Sequence, residues 1–307
     1  MNSDEVIRGN LSLYQTDDGS ISLRSSIFHE GFHCTSGALK EAREKFLFPA
    51  ELDRFTSEKK INLLDVCFGM GYNTACIVEK LIRNSIEFNW WGLEVDRRPI
   101  KIGLENLNYR SLWDLEVCQI LSSLNKKGYW KNKTNQGQIL WGDARQKLSV
   151  IPKNITFDLI LLDAFSPVKC PMLWTEEFLY KLASKLKPEG RLITYCTAAA
   201  IRKSMRKAGL IVVSRMPIDN RQRRWSNGTI GILDNNQIKQ HKYISGWTSL
   251  TPMEEEHLLT KASVPYRDPS GLSSKTTILG LRQKEQATSE MESTSNWKRR
   301  WGQTEQS

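Results

Sequence analysis

The six cysteines at 34, 67, 76, 118, 170 and 196 are scattered and form no C-x-x-C pair. That spacing excludes the usual redox and zinc frameworks and predicts reduced, mostly buried thiols. Histidine is scarce: His29, His33, His241 and His257 show no zinc spacing, so no metal is expected. No apolar run approaches 18 residues, which predicts no membrane span. The start MNSDEVIRGN lacks an apolar signal core, which predicts a cytoplasmic location. No internal repeat is visible.

What is present is ordinary globular material, 39% hydrophobic and 25% charged over 307 residues. The charge is uneven. The chain carries a formal +10, and Thr197 to Trp247 holds ten Lys/Arg against two Asp. A solvated surface is the plain explanation. A polyanion such as nucleic acid is the alternative that fits so local an excess, with Arg221, Arg223 and Arg224 at its centre.

Strand and helix signals alternate through most of the chain. Leu11 to Tyr14 and Ile21 to Arg24 flank Asp17-Asp18-Gly19, a strand–turn–strand pattern. A helix capped by Ser36 follows, with Leu39, Ala42, Phe46 and Leu47 on one stripe and Pro49 near its end. Strands are expected at 61–66, 88–95, 138–141, 157–162, 191–196, 210–215 and 229–233. Helices are expected at 72–83, 97–117, 175–187 and 198–208. Lys126 to Lys133 reads as a basic loop, and Thr251-Pro252-Met253-Glu254 as a capping box. This order predicts an α/β fold: a Rossmann-like, mostly parallel, doubly wound seven-stranded sheet with an N-terminal α/β extension. The expected divisions are 1–60 for the extension, 61–250 for the sheet domain, 251–283 for a helical appendage and 284–307 for a disordered tail. The WKRRW run at 297–301 is read as solvated.

The chain is organised around FDLILLDAFSPVKCPMLW, residues 157–174. An apolar strand runs into Asp163, and such sheets bind ligands beyond their strand ends. A buried carboxylate is costly unless paired or used. Three more acids, Asp65, Glu94 and Asp143, fall at other strand ends, and each alone could be a helix cap or a surface charge. Cys67-Phe68-Gly69-Met70-Gly71 joins strand to helix in nucleotide-binding order. Phe165 and Trp174 stand ready to stack a flat base; Lys169 fits a phosphate or a simple surface lysine equally.

LLDVCFGMGYN, WGLEVD, WGDAR and PEGRLITY together resemble class I S-adenosylmethionine-dependent methyltransferases. LLDAFSPVKCPMLWTEEFL, with SGALKEAREKFL and PYRDP, resembles the MnmC-type tRNA methyltransferase family over roughly residues 25–270. The resemblance implies methylation of the primary amine of 5-aminomethyl-(2-thio)uridine at the tRNA wobble position. It implies S-adenosyl-L-methionine as cofactor, with Asp65, Gly69, Gly71, Asn73, Glu94, Asp143 and Asp163 around it: Gly69, Gly71 and Asn73 on the methionine part, Glu94 on the ribose, Asp143 on the adenine. Asp163 would align and deprotonate the amine, assisted by Phe165 and Lys169. Trp174 and the arginines 221, 223 and 224 would meet RNA. Cys67 stands where the family's first glycine is usual. No second glycine fingerprint is present, so the expected protein lacks the flavin oxidase often fused to this domain, and a separate enzyme would supply the aminomethyl group. Other readings remain: carbon methylation through Cys170, an aminopropyltransferase, which the +10 charge opposes, and a non-catalytic RNA-binding protein, which leaves the strand-end acids unexplained.

Overall fold

The computed structural model describes residues 9–215, 227–234 and 247–302. A small antiparallel sheet comes first: β1 (Leu11–Gln15), β2 (Ile21–Ser25) and β3 (Glu30–Gly31), in that order. The helical stretch that follows starts at Ala38 with Gly37, not Ser36, as its N-cap. It becomes π-helical over Ala42–Leu47 and closes in Phe48–Ala50, so Pro49 sits inside its last turn.

The main sheet contains β4 (Ile61–Val66), β5 (Phe88–Glu94), β6 (Tyr129–Lys131), β7 (Gln136–Trp141), β8 (Phe157–Leu162), β9 (Leu186–Thr194), β10 (Ile211–Arg215), β11 (Thr229–Ile232) and β12 (Trp247–Ser249). Their order is β12-β10-β11-β9-β8-β4-β5-β7-β6. The five strands from β9 to β7 are parallel, and the pairings outside them are antiparallel. The α/β class and the parallel centre are as expected, but the described residues form nine strands rather than seven. The two additions are short edges. β6 lies in the stretch expected to be a basic loop, where Gly128 (φ 78) ends the helix Leu115–Lys127 and turns the chain back. Pro188-Glu189-Gly190, expected as a turn, is an irregularity inside β9: Phe157 pairs with Leu186, but Leu159 pairs with Arg191.

All six residues of β8 are buried, because each face of the sheet is covered. From Leu159 on, alternation divides them: Leu159 and Leu161 join one core with Leu63, while Ile160 and Leu162 join the other with Leu64 and Val66; Phe157, before the register shift against β9, also packs in the second core. Asp65 therefore points to the first side, under the helix Tyr72–Arg83. Buried arginines tie the flanking segments to the sheet. Arg191 of β9 donates to the Pro49 and Ala50 carbonyls and pairs with Glu51 at 2.7 Å. Arg202 pairs with Glu254 at 2.9 Å inside the Thr251 capping box.

The expected disordered tail differs most. Lys275–Thr288 and Thr294–Arg300 are helices. Trp297 is buried and stacks on His257 with ring centres 4.3 Å apart, and Arg300 pairs with Glu256 and Glu292. The polar composition hid one large aromatic anchor and two ion pairs. No helix among the described residues is long and apolar enough to cross a membrane.

Candidate active site

A cleft of about 350 Å³ opens beyond the carboxyl ends of the central strands, a size ordinary for a small-molecule site. Asp163, just past β8, lines it together with Cys67, Gly69, Glu94, Phe165 and Tyr195. The extension closes the opposite wall with Phe28, Glu30, Phe32, Glu41 and Lys45.

The glycine turn is built on three left-handed residues: Cys67 (φ 71), Gly69 (φ 55) and Gly71 (φ 85). Cys67 thus keeps the conformation that a glycine would adopt freely, at a cost of about 1–2 kcal/mol. Gly71 has no room for a side chain, since a Cβ would stand 2.8 Å from Phe68 Cζ. Glu94 fixes the turn. One oxygen accepts the Gly69 N–H at 2.8 Å; the other accepts Val95 at 2.7 Å and Asp96 at 2.9 Å. Burial pushes the Glu94 pKa up against these three donors. A carboxylate has about four lone-pair sites, so one acceptor position remains for a ligand hydroxyl.

Asp163 accepts from Asn73 Nδ2 at 2.7 Å. Burial, then the Glu41 charge, push its pKa up to about 8 despite that bond. In the free protein Asp163 is therefore largely a neutral acid at pH 7. Phe165 lies against Phe28 with ring centres 4.2 Å apart and meets Phe32 edge-on at 5.0 Å. Ser166 N–H donates to Glu30 at 2.9 Å, and Tyr195 Oη donates to the Ala164 carbonyl at 2.8 Å. The loop after β8 is held from both sides.

Six expected site residues do not line the cleft: Gly71 and Asn73 stand behind it, Asn73 acting through its bond to Asp163, and four others lie further off. Asp65 is buried beneath the helix, where Thr74 donates to it at 2.5 Å and its Oδ1 has no partner. Asp143 is a helix cap: it accepts the Arg145 N–H and pairs with that guanidinium at 2.6 Å. Arg145 also pairs with Asp268 at 2.8 Å, so Asp143 serves to anchor PYRDP. Trp174 is fully buried and offers no face to a base; its Nε1 donates to the Phe165 carbonyl at 2.7 Å. Lys169 does not line the cleft. Arg221, Arg223 and Arg224 lie outside the described residues. No cluster of His, Cys, Asp or Glu among the described residues could hold a metal.

This strand-end cleft, with its glycine turn and strand-end acids, has known counterparts. A family of S-adenosyl-L-methionine-dependent methyltransferases matches residues 109–229. The crystal structure of MnmC2 from Aquifex aeolicus superposes with a TM-score of 0.76 at 25% identity, covering 92% of this chain and 87% of that one. The chain contains an S-adenosyl-L-methionine-dependent methyltransferase domain related to MnmC. The tRNA 5-methylaminomethyl-2-thiouridine biosynthesis bifunctional protein MnmC of Paraburkholderia phytofirmans is 24% identical over 60% of this chain and 30% of its own length. An uncharacterized protein of Methanocaldococcus jannaschii is 26% identical over 68% of this chain and 57% of its own. The chain thus spans about a third of the MnmC relative. The domain's residues fit its cofactor: the backbone is bare at Gly69, and Glu94 retains an acceptor position beside it.

Proposed function

We propose that this protein methylates the primary amine of 5-aminomethyl-(2-thio)uridine at the wobble position of cytoplasmic tRNA, giving 5-methylaminomethyl-(2-thio)uridine. The observation that carries the reading is the Asp163 carboxyl, held by Asn73 at 2.7 Å in a cleft walled by Phe165, Phe28 and Phe32. The name of the MnmC relative, quoted for that protein, supports the same nucleoside.

S-adenosyl-L-methionine, when bound, supplies a sulfonium methyl whose C–S electron pair stays on sulfur as the new N–C bond forms. Gly69, Gly71, Asn73 and Glu94 are the residues that would hold it. The acceptor arrives as an ammonium and must lose a proton to expose its lone pair. Ionised Asp163 takes that proton on a carboxylate oxygen and keeps the amine aligned, while Asn73 fixes the carboxylate. Phe165, Phe28 and Phe32 give the uracil ring an apolar wall to pack against. The arginines at 221, 223 and 224 meet the tRNA backbone.

Mass spectrometry of wobble nucleosides from cells lacking the protein tests this. Accumulated 5-aminomethyl forms support it; an unchanged nucleoside profile refutes it.

A further inference from the structure

The π-helical turn Ala42–Leu47 interrupts the helix that walls the cleft. Such turns recur at functional sites because they re-aim side chains. Glu41 and Lys45 lie at this turn and pair at 2.5 Å, with side chains 10% and 22% exposed. A sheltered ion pair is weak evidence for stability, since desolvation offsets its attraction. The helix has an apolar anchorage already, in Ala38, Ala42 and Phe46. Yet both charges line the same cleft as Asp163. Glu41 also accepts the Cys34 N–H at 2.8 Å, and Lys45 Nζ lies 5.6 Å from the centre of the Tyr195 ring. With Asp163 ionised, these three groups carry one net negative charge, the complement of a single ammonium.

We propose that Glu41 and Lys45 are positioning residues of the acceptor site, a fixed ion pair that sets how readily Asp163 takes the proton from the acceptor ammonium. The inference rests on the amine-methylation reading above. The N–H bond of the ammonium breaks, its electron pair stays on nitrogen, and the proton passes to an Asp163 oxygen. After burial, Glu41 is the largest influence favouring that proton, and Lys45 opposes it. The other groups around Asp163 are Asn73 from the helix Tyr72–Arg83, Asp65 of β4, Cys67 of the glycine turn, and Tyr195 past β9. Glu94, Glu30, Asp96, Cys34, Cys170 and His33 line the same cleft, and burial pushes the His33 pKa down to about 4, below the limb measured. None of these changes in the variants below.

The test is the acid limb of kcat/KM for methyl transfer by the full chain to tRNA bearing 5-aminomethyluridine. Glu41→Gln removes a negative neighbour and moves the limb to lower pH; Lys45→Met removes a positive one and moves it to higher pH, each by about one unit. Glu41→Asp restores the limb. Affinity for S-adenosyl-L-methionine, measured by calorimetry, stays unchanged. A limb that stays put in both variants, or moves the same way in both, overturns the proposal. If Glu41→Gln does not fold, the upward shift in Lys45→Met decides alone. Wild-type protein that transfers no methyl to this tRNA sinks the parent reading and this one with it. Transfer with unmoved limbs sinks only this one.

Discussion

Asp163→Asn separates the electrostatic account of the cleft from a purely steric one. The substitution keeps the side chain's shape and can still accept from Asn73, but it cannot ionise. In the free protein the Asp163 pKa rises from 3.8 to about 8. At about 1.4 kcal/mol per unit, a dry carboxylate would gain about 5–6 kcal/mol from staying protonated. Asp163 opens on a wet cleft, and screening reduces that to about 2–3 kcal/mol. The sign follows from proton uptake. Between pH 4 and 8 the unfolded chain releases the proton while the folded chain keeps it. Stability is therefore full below the unfolded value and is lost as pH rises through about 8. Asp65, raised to about 7 by burial, acts in the same direction and remains in both proteins, so the difference isolates Asp163. Melting curves of the ligand-free proteins at pH 5 and pH 8.5 provide the assay. The wild type should lose roughly 5 °C more than Asp163→Asn across that range. Parallel losses would mean that Asp163 is ionised in the free protein, and the argument for a tuned base would fail. In the same variant, turnover at saturating cofactor should fall roughly a hundredfold or more.

Two further substitutions probe the frame around the site. Cys67→Gly relieves a left-handed φ of 71°, and after the added entropy of the unfolded chain it should stabilise by about 0.5–1 kcal/mol; a lower melting temperature would show that the thiol's packing matters more than the backbone. Trp174→Ala should cost about 3–5 kcal/mol and raise the KM for tRNA, because the Phe165 carbonyl loses its anchor; unchanged KM in a folded variant would show that the loop is held without it.

The fold was legible because parallel strands buried on both faces announce themselves: Leu159 to Leu162 could be nothing else inside an alternating α/β pattern. Asp163, Gly69, Glu94 and Phe165 followed from it, since strand ends and glycine turns fix where a cleft must lie. Asp65 and Asp143 misled for one shared reason. An acid near a strand end can turn inward to a hydroxyl or sideways to its own helix, and sequence does not show which. Trp174 looked like a stacking platform, but an indole that donates into the loop beneath it is scaffolding. The missed residues, Phe28, Phe32, Glu41 and Lys45, come from the extension and join the site only by long-range docking. Glu41 and Lys45 fall outside the apolar stripe of their helix, so its spacing gave no pointer to them. Their presence in SGALKEAREKFL, a stretch that resembles the MnmC-type family, was the available signal. In the tail, composition outweighed Trp297, whose burial against His257 depends on a helix 40 residues earlier.

The central claim is the identity of the atom that receives the methyl group. Purified protein, S-adenosyl-L-methionine labelled in its methyl, and tRNA bearing 5-aminomethyluridine, digested and analysed by mass spectrometry, test it most directly. The account predicts label in 5-methylaminomethyluridine alone. Label on a ring carbon, an aminopropyl adduct, or unlabelled nucleosides would contradict it.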